Sequence, residues 1–168
     1  MTQLSLVPFS NQFGGETSLG KRKERRPVVT KRPMHLVFKS ERNVLLKNAR
    51  VVRELQRRFS HLFSVRIYSF SIQSNHLHLC VQAKSRTGLH HFNRALAGSL
   101  ALAVSPAKEE NTISRPFWKV PVYSRIVQWG KDFRNVIRYI KQNELESLGL
   151  IAYTPRDASN AFSTRRYG

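Results

Sequence analysis

The order in which two hydrophobic periods alternate along this chain leaves few folds open. Strands repeat every two residues and helices every 3.6. Met34 to Lys39 (MHLVFK) reads as a short strand, and Leu45, Ala49, Val52, Leu55, Phe59 and Leu62 fall at helical spacing, predicting a helix over about 46–63. Val65 to Gln73 is rich in β-branched and aromatic residues and reads as a second strand. Ser74-Asn75 signals a turn, after which His76 to Gln82 (HLHLCVQ) alternates strictly. Leu89, Phe92, Leu96, Leu100 and Ala103 mark a helix over about 87–104, and residues 105–116 form a polar loop. Phe117 to Ile126 reads as a fourth strand, with Pro121 pointing to an edge or a bulge. Lys131 to about Ser147 is a last helix that packs through Phe133, Val136, Ile137 and Ile140.

Strand, helix, strand, strand, helix, strand and a further helix is the split βαβ order of ferredoxin-like folds with one helix added. The expected class is α+β: an antiparallel sheet whose centre is formed by the strands at 34–39 and 76–82, plus an extra C-terminal helix carrying Tyr139. Two crossover helices should cover the sheet face bearing Leu77, Leu79 and Val81. The opposite face, with His76 and His78, should be open to a ligand.

The ends of the chain read differently from its body. Residues 1–32 show no sustained period and carry seven basic and two acidic residues, including the run Lys21, Arg22, Lys23, Arg25, Arg26. They are expected to be a basic, disordered arm, residues 33–155 the folded domain, and residues 156–168 a basic tail. The body still holds nineteen basic and seven acidic residues, so most of the net +19 belongs to the fold. A compact chain with that excess needs a polyanion to offset its self-repulsion, and nucleic acid is the commonest one. A single cysteine, Cys80, excludes a disulfide framework and a multi-cysteine zinc module. No apolar run approaches the roughly 18–20 residues that cross a bilayer, so no membrane partner is expected. The expected location is the cytoplasm, in association with the nucleoid.

His76 and His78, two apart on a strand, lie on one face with Cα atoms roughly 6.5–7 Å apart, close enough for their imidazoles to converge on one cation. An amphipathic strand whose exposed face bears histidines would look the same. Tyr139 and Asn143 are spaced i, i+4 and share one face of the last helix. Alone, Tyr139 reads as an aromatic at the core's edge and Asn143 as a residue near a helix end. Cys80 shares the histidine face, but a straight strand separates positions i and i+4 too far for one small ion, and a buried thiol is the simpler reading. His35, on the neighbouring central strand, reads either as a support for the pair or as core.

Asn75-His76-Leu77-His78-Leu79, followed downstream by Tyr139-Ile140 and Asn143, resembles the HUH endonucleases. The likeness is to the single-tyrosine transposases, particularly the REP-associated branch, and runs over about residues 33–150. Met34-His35-Leu36-Val37-Phe38 and Phe117-Trp118 before Arg125 echo the same family. Ser74 and Glu144 stand where the family often has proline. The resemblance implies that Tyr139 is a nucleophile forming a 5′-phosphotyrosine, and that His76, His78 and Asn143 hold one Mg²⁺ or Mn²⁺. It also implies a single-stranded or hairpin DNA substrate, and leaves monomer and homodimer both open. Phosphoryl transfer depends on positioning and on stabilising charge at the non-bridging oxygens, which one divalent ion supplies.

Arg125, Arg134, Arg138 and Lys141 are the expected DNA contacts near the nucleophile, joined by Lys21, Arg22, Lys23, Arg25 and Arg26 of the arm. Arg50, Arg53, Arg57 and Arg58 on the first helix read equally as a solvated face. Trp118 and Tyr123 could stack on unpaired bases. Three alternatives stand beside this reading: another HUH nickase, a catalytically silent hairpin binder, and an RNA-binding ferredoxin-like module.

Overall fold

A computed structural model describes residues 11–21, 25–104 and 116–154. The expected tail at 156–168, Arg22, Lys23 and most of the polar loop after the second crossover helix lie outside them. Among these residues five strands and three α-helices follow one another: β1 (Gln12–Phe13), β2 (Met34–Lys39), α1 (Ala49–Leu62), β3 (Val65–Ile72), β4 (His76–Ala83), α2 (Arg86–Val104), β5 (Tyr123–Ile126) and α3 (Lys131–Ser147). The five strands form one antiparallel sheet in the order β1-β5-β2-β4-β3. β2 and β4 therefore sit at its centre, as the ferredoxin-like order requires.

Strict alternation on the central strands sorts their side chains into two layers. Leu36 and Phe38 of β2 and Leu77, Leu79 and Val81 of β4 form the main core with Val52 and Phe59 of α1 and Leu89, Phe92, Leu96 and Leu100 of α2. Burying each such side chain contributes about 1.5–3 kcal/mol, so this layer fixes the register of the sheet. Leu62 departs from the expected helix stripe: it is 62% exposed. α1 ends there, and the ring of Phe63, stacked on Phe59, packs against the core in its place.

Two further expectations are corrected. The face bearing the histidines is not open: α3 lies across β3 and β4 and seals a second, smaller core of Cys80, Val127, Val136 and Ile140. An apolar helix stripe needs an apolar partner, and Cys80, the half-buried Tyr68 and Val127 supply one. Tyr68 stands at a bulge in β3, where the register shifts between Ile67 and Ser69, and packs edge-on against Phe133. The fourth strand is also shorter than the sequence suggests. Only Tyr123–Ile126 pairs continuously, because Pro121 has no N–H to donate. Residues 117–122 instead make scattered bonds such as Lys119 N–H to the Lys39 carbonyl.

The described part of the arm is not detached. Gln12 and Phe13 register with Arg125 and Ser124 of β5, and the Gly15 N–H donates to the Pro121 carbonyl. Gly14, at φ +79°, lets the chain pass so close that a Cβ there would lie 2.1 Å from the Val122 carbonyl oxygen. The Arg26 guanidinium then stacks over Phe13 and donates to Ser124 Oγ and the Val122 carbonyl.

Candidate active site

Register gathers the polar residues of the sheet onto the α3 side. Lys39 lies opposite His76, Val37 opposite His78, and His35 opposite Cys80, with Tyr123 and Arg125 continuing the row on β5. Directly opposed residues share a face, so three histidines and a tyrosine meet beneath α3. The rings of His76 and His78 stand orthogonal with centroids 4.8 Å apart. The Tyr139 ring lies 5.3 Å from His78 and 6.1 Å from His35, edge-on to both. α3 reaches this position on the sheet of its own chain.

Hydrogen bonds orient the three histidine rings. The Asn75 side-chain oxygen lies 2.8 Å from His76 Nδ1, so that nitrogen carries the proton and Nε2 keeps its lone pair. His35 Nε2 and His78 Nδ1 share a bond of 3.2 Å, one ring donating to the other. His78 is only 5% exposed and His76 is half-buried, so the histidine pair opens to solvent on the His76 side. Burial holds both flanking imidazoles neutral, with His35 pushed down to about 3 and His76 to about 4; Arg125 adds to the first and Lys39 to the second. Neutral imidazole is the form that ligates a metal.

Asn143, one turn beyond Tyr139, is buried. Its carboxamide N–H₂ donates to the Tyr139 backbone carbonyl, and its backbone carbonyl accepts from Gln73 Nε2 at 2.7 Å. Gln73 N–H in turn donates to the His76 carbonyl, which brings Asn143 to the same end of the sheet as His76. Among the described residues no three His, Cys, Asp or Glu side chains converge as a cage. His76 and His78 thus offer two imidazole nitrogens with solvent access on the His76 side, which would leave coordination positions open to water, unlike a closed structural zinc site. Cys80 is fully buried and burial raises its thiol to about 12, so thiolate ligation is disfavoured. Burial likewise raises the neighbouring Tyr123 hydroxyl to about 12.

The basic residues divide sharply. Arg125 forms a two-pronged ion pair with Asp132, at 3.1 and 3.0 Å, which ties β5 to the first turn of α3 and turns its guanidinium inward. Arg134, Arg138 and Lys141 are exposed, but at 3.6 residues per turn they lie on the side of α3 opposite Val136, Ile140 and Asn143. They face solvent away from the histidines instead of surrounding Tyr139. Lys21 and Arg25 are exposed, while Arg26 is committed to β5. Lys39 is the cation beside the pair, held at 2.8 Å by Glu16 of the arm. Of the two readings open for His35, the structure has it supporting the pair, whereas Gln73 and Asp132 were not predicted to take part. Their only signal is a lone polar side chain inside or beside an apolar run, which does not say what it will face.

The sequence model of the family described as transposase, IS200-like, matches residues 28–143. The chain belongs to the IS200-like transposase family. The chain is also similar in fold to a REP-associated tyrosine transposase solved bound to a REP hairpin, at a TM-score of 0.53 and 12% identity over 74% of this chain and 73% of that one. A Deinococcus radiodurans protein assigned as a transposase aligns at a TM-score of 0.43 and 17% identity, over 73% of this chain and 98% of that one, too loosely to add to the argument. No curated protein matches the chain. No helix among the described residues is long and apolar enough to cross a membrane.

Proposed function

We propose that this transposase is a metal-dependent single-stranded DNA endonuclease and strand transferase of the REP-associated branch, acting at DNA hairpins through Tyr139, with residues 33–155 as its catalytic unit. The observation that carries the reading is the Tyr139 ring lying edge-on to His78 while His78 and His76 stand orthogonal at 4.8 Å. A tyrosine and two imidazoles thus share one partly enclosed space on elements of one chain, which supports the reading. The REP-hairpin complex of the similar structure supports the choice of substrate.

In this reading the Tyr139 oxygen attacks phosphorus as its proton leaves. The bond from phosphorus to the 3′ oxygen breaks, the 5′ phosphate stays on the tyrosine, and the departing 3′ oxygen takes up a proton. A Mg²⁺ or Mn²⁺ bound by His76, His78 and Asn143 would stabilise the charge developing on the non-bridging oxygens. Asn75, accepting from His76 Nδ1, leaves the His76 Nε2 lone pair for a metal that would bind there, and His35 fixes the plane of His78. α3 carries the tyrosine over the pair and limits water, so a second 3′-hydroxyl can compete with hydrolysis for the phosphotyrosine. Trading one phosphodiester for another needs no ATP.

The test is incubation of the full chain with labelled single-stranded hairpin DNA and Mn²⁺, followed by denaturing electrophoresis. A detergent-resistant protein–DNA adduct should form with the wild type and be absent from Tyr139→Phe, from His76→Ala/His78→Ala and from chelated samples. An adduct that survives Tyr139→Phe would overturn the assignment.

A further inference from the structure

On the opposite side of the sheet, a groove runs between α2 and the arm. Phe13 registers with Ser124, and Ser124 with Leu36 of the main core, so this groove faces the helix layer rather than the histidines. It encloses about 670 Å³, within the range of roughly 300–1,000 Å³ common for ligand sites. Three features of its lining ask for different things. Arg25, Arg26, Arg86 and Arg94 supply four guanidiniums, and among the described residues no carboxylate lines the groove. None of the four takes part in an ion pair among the described residues. Phe13, Val28, Leu89 and Val122 supply apolar walls. Asn93 lines the groove at 8% exposure, and its carboxamide oxygen is buried without a hydrogen-bond partner among the described residues.

An unsatisfied buried amide costs stability unless something fills it, and four cations crowded together repel one another unless an anion intervenes. A ligand that answers all three features carries phosphate, a flat apolar ring and a hydrogen-bonding edge with both donor and acceptor. Those are the parts of a nucleotide. An asparagine carboxamide reads such an edge through two parallel bonds, as it does with adenine. A base can enter between the apolar walls only by leaving its stack, so the nucleotide must be unpaired.

We propose that the groove between α2 and the arm is a second DNA-binding site, holding one unpaired nucleotide of the strand with its base edge on Asn93 and its flanking phosphates on Arg86, Arg94 and Arg25. Arg26 is not among the phosphate contacts, because its guanidinium is already bonded to Ser124 and Val122. Arg86 donates from one nitrogen to the Arg26 carbonyl and keeps its remaining donors for the ligand. The inference builds on the DNA reading above but uses none of the residues of the histidine face. A strand held here would have to pass around the β1–β5 edge to reach Tyr139.

The experiment is fluorescence anisotropy with the full chain in EDTA, using a labelled mixed-sequence single strand, the same sequence as a blunt duplex, and free dAMP as competitor. Asn93→Leu should bind the single strand about five- to ten-fold more weakly and bind the duplex unchanged, with thermal stability equal or higher, since a shape-matched apolar side chain removes an unsatisfied amide. Arg86→Gln/Arg94→Gln should lower affinity for every sequence and reduce the logarithmic salt slope on single strands by about 1.4. Unchanged single-strand binding by Asn93→Leu, an equal loss on duplex, or preferential capture of free dAMP would overturn the proposal. The adduct assay on wild type separates the two claims. Adduct formation with Asn93-independent binding refutes the groove alone, whereas Asn93-dependent binding without an adduct refutes the nuclease reading and leaves the groove standing.

Discussion

Acid should destabilise this fold earlier and more steeply than its carboxylates explain, because it buries neutral histidines. His35 is lowered to about 3 and His76 to about 4, both chiefly by burial, whereas histidine in an unfolded chain titrates near 6.5. As pH falls through that value the unfolded state takes up protons that the folded state refuses. Stability therefore drops by about 1.4 kcal/mol per pH unit for each such histidine. The window opens at about 6.5 and closes for each residue at its folded value. From pH 6.5 to 5, His35 alone accounts for about 2 kcal/mol and the two together for about 4, a large share of the roughly 5–15 kcal/mol that holds a domain together. The assay is urea denaturation by circular dichroism, in EDTA at constant ionic strength, across pH 7.5 to 4.5 for wild type and His35→Leu. The variant loses its bond to His78, an offset of about 1 kcal/mol at every pH. Below pH 6.5, however, its slope should be shallower than wild type by about 1.4 kcal/mol per unit. Parallel curves would refute the claim that His35 is held neutral by burial.

Arg125→Ala should cost about 1–2 kcal/mol by releasing α3 from β5, lowering the melting temperature by about 3–6 °C and slowing adduct formation while leaving strand affinity intact; reduced affinity at an unchanged melting temperature would restore a phosphate-binding role to it. Asn75→Ala should weaken Mn²⁺ binding, measured by calorimetry, about 10–100-fold, because His76 loses the acceptor that fixes its tautomer; unchanged affinity would show that the bond has no such role. Cys80, buried and with its thiol raised to about 12, should resist maleimide in the folded chain and react once urea unfolds it; rapid labelling of the native protein would show that the small core beneath α3 opens.

β2 and α3 have the bounds that their periods predict, and β4 runs one residue further, because each carries an unbroken alternation or stripe that only one geometry buries. The His76–His78 pair is legible for the same reason: period two leaves both on one face whatever the strand packs against. What a local pattern does not contain is the layer above that face. α3 shows an apolar stripe of Val136 and Ile140, yet nothing in the stripe tells it to cover Cys80 and His78 instead of joining α1 and α2. Hence the histidine face reads as open when it is roofed. The same blindness affects Arg134, Arg138 and Lys141. They are near Tyr139 in sequence and on the far side of its helix in space, a distinction that a helical projection reveals only once the buried side is known. β1 escapes notice because two residues have no period. It is set instead by tertiary contacts, with Gly14 passing against Val122 and Arg26 stacked on Phe13. Arg125 pairs with Asp132 across a turn, and only the three-dimensional path of that turn distinguishes an inward cation from one offered to DNA.

The most direct measurement is to digest the purified covalent product with nuclease and protease and sequence its nucleotide-bearing peptide by mass spectrometry. The account predicts a single phosphonucleotide on the phenol of Tyr139, which lies beside His78 on α3. The same mass on Tyr123 or Tyr68, or a wild-type chain that cuts the strand and leaves no nucleotide on any tyrosine, would contradict it.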